Sequence, residues 1–110
     1  MAFSSGDLRP ETMEPALREA GLIVQCTSLG LAGEWERFPQ KVVKKSSLFA
    51  DLVYRAGGTA LVRALRARGV PSIDGLPMLA HQAARSFALW TGEAVPGAVF
   101  LGLAKKGLKP

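Results

Sequence analysis

Apolar positions along the chain form two patterns: short unbroken runs, and longer stripes at spacings of three and four. The run Leu22-Ile23-Val24, continued by Gln25-Cys26, has the length and composition of a buried strand. So does the segment from Leu48 to Tyr54, with its run Leu52-Val53-Tyr54 after Asp51. We therefore predict strands over 22–26 and 48–54, and a very short third strand over 70–73, where Pro71 suits a strand start or a sheet edge. Helices are predicted between them. Residues 10–20 are helix formers, with Pro10 fit for the first turn and Gly21 for the stop. Residues 60–68 form a second helix, capped by Thr59 and ended by a left-handed Gly69. The longest helix covers 77–91, with Leu79, Ala83, Phe87 and Trp90 on one stripe expected to face the core, and Gly92 as its stop. A weaker helix, interrupted by Gly102, follows over 96–106. Residues 31–46 show no clean period and read mostly as loop, and residues 1–9 as a flexible N-terminus.

The resulting order is helix, strand, loop, strand, helix, strand, helix, helix. Short apolar strands separated by helical stretches argue for parallel strands joined by crossovers, an α/β arrangement. Three strands are few for such a sheet. The pattern fits the C-terminal half of a Rossmann-like doubly wound parallel sheet with flanking helices.

Size and charge narrow the picture. The 110 residues allow one small domain, and the 48% hydrophobic content can build a core. A chain this short leaves much apolar surface uncovered, so a partner is expected from the start. The formal charge is +5. Lys41, Lys44 and Lys45, then Arg63, Arg66 and Arg68, then Lys105, Lys106 and Lys109 carry much of it without interleaved aromatics or a nucleic-acid motif. Solvated surface is the first reading of these groups, and a modest contribution to holding a phosphorylated cofactor the second. Cys26, the single cysteine, is expected to be a buried thiol at a strand end. There is no C-x-x-C and no Cys/His cluster to suggest a metal site. With no signal pattern and no apolar run near the ~20 residues of a membrane span, the cytoplasm is the expected compartment.

Few residues carry chemistry by spacing alone. The chain has no G-x-G-x-x-G and no G-x-x-x-x-G-K-[ST]. Gly57-Gly58 lies between a strand and a helix but reads as a plain turn. His81, the one histidine, is expected to be partly exposed beside the stripe of the long helix. Ser28 and Ser72 have no base at a recognisable spacing. Gln82 is a polar group on a mostly apolar helix, so it either faces water at the edge or serves a polar cavity. Tyr54 is either an ordinary half-buried tyrosine or a phenol at the crevice beyond the strand ends, where open α/β sheets bind ligands.

Three blocks nevertheless resemble the shikimate dehydrogenase family, in order and in spacing. Residues 22–31, Leu-Ile-Val-Gln-Cys-Thr-Ser-Leu-Gly-Leu, are similar to the family's strand ending in Asn-x-Thr-[SP]-x-Gly-Met. Asp51-Leu52-Val53-Tyr54 followed by Thr59 is similar to Asp-x-x-Tyr-x-x-x-x-Thr. Asp74-Gly75-Leu76-Pro77-Met78-Leu79, with Gln82-Ala83-Ala84, Phe87 and Leu89-Trp90-Thr91-Gly92, resembles Asp-Gly-Leu-x-Met-Leu-x-x-Gln-[AG]-x-x-[AS]-Phe-x-x-Trp-x-Gly. The resemblance implies a partial NADP-binding domain over 10–110 and a parent activity that reduces 3-dehydroshikimate to shikimate with NADPH, toward chorismate and the aromatic amino acids. It implies that Tyr54 and Gln82 contact substrate. It implies that Gly75 and the backbone around Leu52 meet the nicotinamide end of the cofactor, and that Thr27 and Ser28 run alongside it.

The chain departs from the family pattern at Gln25, Leu31, Arg55-Ala56 and Pro77, where Asn, Met, Asn-Pro and Gly are usual. The family's catalytic Lys and Asp, and its glycine-rich loop, find no match in this sequence. The resemblance therefore implies a C-terminal fragment, inactive alone, with an N-terminal substrate domain or a homo-oligomer as partner. The alternatives are a non-catalytic interaction or regulatory protein and a quinate/shikimate dehydrogenase relative.

Overall fold

The computed structural model describes residues 9–31 and 35–108, so Lys109 and all of the expected flexible N-terminus except Arg9 lie outside the described residues. Its elements are α1 (Pro10–Glu19), β1 (Leu22–Gln25), β2 (Leu48–Asp51), α2 (Ala60–Ala67), β3 (Ser72–Ile73), α3 (Leu76–Thr91) and α4 (Gly97–Gly107). Two 3₁₀ turns, Trp35–Arg37 and Gln40–Val42, punctuate the long β1–β2 connection. The three strands form one parallel sheet in the order β1-β2-β3, with Leu22 opposite Leu48 and Ala50 opposite Ile73.

Alternation along the strands divides the sheet into two unlike faces. Ile23, Gln25, Phe49, Asp51 and Ser72 are buried on one face. Over it lie Leu17 from α1, Phe38 and Val43 from the β1–β2 connection, and Leu61, Val62 and Leu65 from α2. Phe38 meets Phe49 edge-on, ring centroids 5.5 Å apart. Leu22, Val24, Leu48 and Ile73 point the other way and are exposed. Arg68 secures the long connection by donating to the carbonyls of Gln40, Lys41 and Val43. Arg66 donates to Ser72 O at 2.9 Å. These two cations therefore brace the backbone as well as facing water.

Helix boundaries follow their expected signals. The Thr59 hydroxyl accepts from Val62 N at 3.2 Å, and Gly69 and Gly92 sit at φ 84° and 72°. Four expectations need correction. First, β2 stops at Asp51 and β3 begins only at Ser72, so Tyr54 lies in the loop beyond its strand. The cause is local: the Asp51 carboxylate takes the Val53 N–H at 3.0 Å and turns the chain out of the ladder. Second, Cys26 is exposed, because β1 ends one residue before it. Third, the buried line of α3 is Leu76, Ala80 and Ala84, not the Leu79–Trp90 stripe; Trp90 is 82% exposed. Small residues let α3 approach its neighbours, while the larger ones face outward. Phe87 and Phe100, both half-buried, pack on each other at 5.7 Å, and the open apolar surface of these two helices is at Leu89, Trp90, Val99 and Leu103. Fourth, Gly102 does not interrupt α4, which continues to Gly107 among helix-forming Leu, Ala and Lys residues.

Gly97, at the first position of α4, gives the α3–α4 pair its close approach. A Cβ there would stand 2.1 Å from His81 Nδ1 on α3. His81 is exposed and its ring can swing away. Gly97→Ala should therefore cost less than ~1 kcal/mol in urea unfolding, and His81→Ala should relieve that cost. A loss several times larger, or no relief in the double variant, would show that the ring is fixed.

Candidate functional site

The site grows out of the end of β2. The last ladder bond runs from Leu52 N to Gln25 O at 3.0 Å, and Val53 O then accepts from Gly75 N at 3.0 Å. These bonds draw the Asp74-Gly75 turn down onto the β2 exit. The approach is so close that a Cβ on Gly75 would lie 2.1 Å from Leu52 O and 2.7 Å from its carbonyl carbon. Gly75 has ordinary right-handed backbone angles, so the position demands glycine for space and not for conformation. Asp74 Oδ1 accepts from Leu76 N at 3.1 Å and holds the start of α3. Two of the six candidate residues, Leu52 and Gly75, are thus brought into direct contact. Tyr54, two residues after Leu52, is exposed, as is Gln82 in the second turn of α3.

Below this rim lies a polar network that sequence reasoning missed. Buried Gln25 donates from Nε2 to Asp51 Oδ1 at 3.2 Å and to Leu29 O at 2.9 Å. Its Oε1 accepts from both the amide and the hydroxyl of Thr27. Thr27 Oγ1 in turn accepts from Leu29 N at 3.1 Å. On the other side, Asp51 Oδ2 accepts from the Thr59 hydroxyl at 3.0 Å. One chain of hydrogen bonds therefore runs from the 27–29 loop through Gln25 and Asp51 to the N-terminus of α2. Thr27 is committed to shaping its own loop, and Ser28 beside it is exposed. The signal was available: Gln25 shares strand parity with Ile23, so period-two alternation sends it inward, where an amide must find partners.

Burial raises the Asp51 carboxyl pKa above its ordinary 3.8, against the lowering effect of the hydrogen bonds from Val53, Thr59 and Gln25. A carboxyl raised on folding contributes stability that is complete below its unfolded pKa and lost as pH rises through the folded one. Lowering the pH from 7 to 4 should therefore stabilise the chain relative to Asp51→Asn, which does not titrate. Asp51→Ala should cost about 2–4 kcal/mol, since three donors lose their acceptor. Urea midpoints of the two variants at both pH values check this; a pH-independent difference between wild type and Asp51→Asn would contradict it.

A separate open cleft of about 490 Å³ lies between the 55–58 turn, α3 and α4, lined in part by Arg55, Arg66, Asp74 and Lys105. It contains none of the candidate residues. No group of three or more metal-ligating side chains occurs among the described residues, and none of their helices is long and apolar enough to cross a membrane.

Comparison with known proteins bears on this rim. A family model, the Shikimate 5'-dehydrogenase C-terminal domain, matches residues 75–101, from the close-packed glycine into α4. Shikimate dehydrogenase (NADP(+)) of Streptococcus pneumoniae is 35% identical over 85 residues, which cover 76% of this chain and 30% of that protein. The chain matches the C-terminal part of the shikimate dehydrogenase family. It spans about a third of the length of the relatives it matches. A shikimate 5-dehydrogenase of Thermus thermophilus, solved with NADP(H) and shikimate, superposes with a TM-score of 0.75 at 32% identity, over 94% of this chain and 38% of that one. The quinate dehydrogenase of Corynebacterium glutamicum, solved with NAD, gives a TM-score of 0.78 at 28% identity, over 87% of this chain and 34% of that one. The Rossmann-like, three-stranded parallel arrangement is thus that of shikimate dehydrogenases, as the sequence pattern implied.

Proposed function

We propose that this chain supplies the substrate-facing and nicotinamide-facing rim of a dehydrogenase that reduces 3-dehydroshikimate to shikimate with NADPH. The observation that supports the reading is the close approach of Gly75 to the Leu52 carbonyl, which brings two family-matching turns together, while Tyr54 and Gln82, the other motif residues of these segments, are exposed. In this reading the Tyr54 phenol and the Gln82 amide hydrogen-bond the hydroxyl and carboxylate groups of the substrate. The backbone at Leu52 and Gly75 forms a wall without side-chain bulk for the nicotinamide. Ser28, on the loop stiffened by Gln25 and Thr27, flanks the cofactor. The nicotinamide supplies the hydride when bound.

These residues fit the nicotinamide end of the cofactor and not its pyrophosphate, for which the 110 residues offer no glycine-rich loop. The family's catalytic Lys and Asp, which would serve the proton transfer, likewise find no match in this sequence. Both functions fall to an N-terminal substrate domain and the phosphate-binding half of the nucleotide domain. The likeness to the quinate dehydrogenase favours a second reading, in which the substrate is quinate or a related cyclic hydroxy acid.

The test is a graft: residues 10–108 replace the matching third of the S. pneumoniae enzyme. The expected result is NADPH oxidation with 3-dehydroshikimate at a rate well above that with 3-dehydroquinate. The reverse preference would establish the quinate reading. A folded but inert graft would reject both and leave the non-catalytic alternative.

A further inference from the structure

The open cleft of about 490 Å³ beside β3 holds none of the candidate site residues and carries charge of its own. Arg55 reaches it from the turn after β2, Arg66 from α2 and Lys105 from the last turn of α4. Asp74 is the one carboxylate in its lining. Three cations against one carboxylate leave a surplus of two positive charges. No carboxylate pairs with any of the three among the described residues. The Lys105 ammonium has no hydrogen-bond partner among them either. Arg55 gives one guanidinium nitrogen to the Gly30 and Leu31 carbonyls, and Arg66 gives its Nε to Ser72 O. A guanidinium carries more N–H donors than these bonds use, so both keep free ones.

The rest of the cleft suits a ligand larger than a simple ion. Gly57 and Gly58 line it without side chains, both at positive φ, 77° and 92°. A Cβ on Gly57 would meet nothing within 4 Å. One terminal nitrogen of Arg66 stands 3.7 Å from where a Cβ on Gly58 would lie, which sets the guanidinium against this bare turn. Ile73, Leu76, Leu101 and Leu108 supply an apolar wall. Arginine forks hold phosphate oxygens in pairs, and glycine lets a ligand come close to the backbone. Apolar lining with a few convergent polar groups is the usual make-up of a small-molecule site.

We propose that this cleft binds a small phosphate monoester whose phosphate is joined to an apolar, ring-sized body. A phosphate monoester carries about −1.5 to −2 charge at pH 7, which matches the surplus in the lining, whereas a lone carboxylate supplies only half of it. The phosphate lies among Arg66, Lys105 and the glycine turn. The body rests on Ile73, Leu101 and Leu108. Asp74 is the one group that opposes the anion, and its carboxylate is partly occupied by the Leu76 amide. The site stands whether or not the chain takes part in hydride transfer.

The experiment titrates the isotope-labelled 110-residue chain with phenyl phosphate at low salt and follows its amide shifts. Saturable binding with a Kd below ~1 mM is expected, with the largest shifts at Gly57, Gly58, Leu101 and Lys105. Inorganic phosphate, which lacks the body, and benzoate, which lacks half of the charge, should each bind about tenfold more weakly. Lys105→Gln should weaken phenyl phosphate binding about tenfold, the loss of one charge-assisted hydrogen bond. Asp74→Asn keeps an acceptor for the Leu76 amide and removes the opposing charge, so it should strengthen binding severalfold. Lys44→Gln, on the β1–β2 connection, should change nothing. The ligand ranking and the shift map need only the wild-type chain, so a variant that fails to fold leaves the test intact. No saturable binding, shifts centred elsewhere, or equal affinity for inorganic phosphate would each overturn the proposal. A loss in Lys44→Gln equal to that in Lys105→Gln would reduce the effect to general surface charge and overturn it too. So would NADP+ binding at the same amides at least tenfold more tightly than phenyl phosphate, which would give the cleft to the cofactor.

Discussion

Gly75→Ala should destabilise the chain by about 3 kcal/mol or more, the upper end of the range for forcing atoms into a close-packed site. The new methyl would stand 2.1 Å from the Leu52 carbonyl oxygen. Neither side can yield cheaply. Leu52 is tied to Gln25 by the last ladder bond, and Gly75 is tied to Val53, each at 3.0 Å. Relief would mean breaking the β2 exit or shifting the start of α3. Gly21→Ala, with nothing within 4 Å of its Cβ, should be close to neutral by comparison. Gly92→Ala, where the space is open but φ is 72°, should cost roughly 1 kcal/mol from backbone strain alone. Urea midpoints of the three variants decide this; a Gly75→Ala loss no greater than that of Gly92→Ala would show that the crossing is looser than described.

Tyr54→Phe and Gln82→Ala should have the opposite profile, a large effect on turnover and almost none on folding. Both residues are exposed and neither belongs to the core, so each change should leave stability within about 0.5 kcal/mol. In the grafted enzyme, each should lower kcat/KM about 10- to 100-fold, the loss expected when a hydrogen bond to a polar substrate group is removed. If both variants keep full kcat/KM, the two side chains have no part in substrate recognition and the site assignment fails. A drop in stability that matches the drop in activity would reduce their role to structure.

These contrasts bear on what the sequence made legible. Helix ends were readable where one residue type meets one physical need: Thr59 caps α2 with its hydroxyl, and Gly69 and Gly92 adopt left-handed angles. The parallel α/β order was readable from runs and stripes. Strand lengths were not, because side-chain chemistry ended them. The Asp51 carboxylate captures the Val53 amide, so an apolar run that reads as strand becomes a turn. The α3 stripe misled for a different reason. Large apolar residues dominate the pattern, yet Ala80 and Ala84 are the buried ones, because a close approach needs small side chains. Of the candidate site, the Leu52–Gly75 contact gives physical meaning to one motif glycine. The Gln25–Asp51–Thr59 network explains why an acid at 51 and a hydroxyl at 59 belong together. The positions of Tyr54 and Gln82 drew their meaning from resemblance alone, since an exposed polar side chain has no packing constraint to mark it.

The central claim is that these residues form a dehydrogenase rim that needs further polypeptide to act. NADPH oxidation with 3-dehydroshikimate, measured side by side on the 110-residue chain and on the graft carrying residues 10–108, tests it most directly. The account predicts no turnover by the chain alone and clear turnover by the graft. Turnover by the chain alone within a hundredfold of an ordinary enzyme's ~10 s⁻¹, or a folded graft with none, would contradict it.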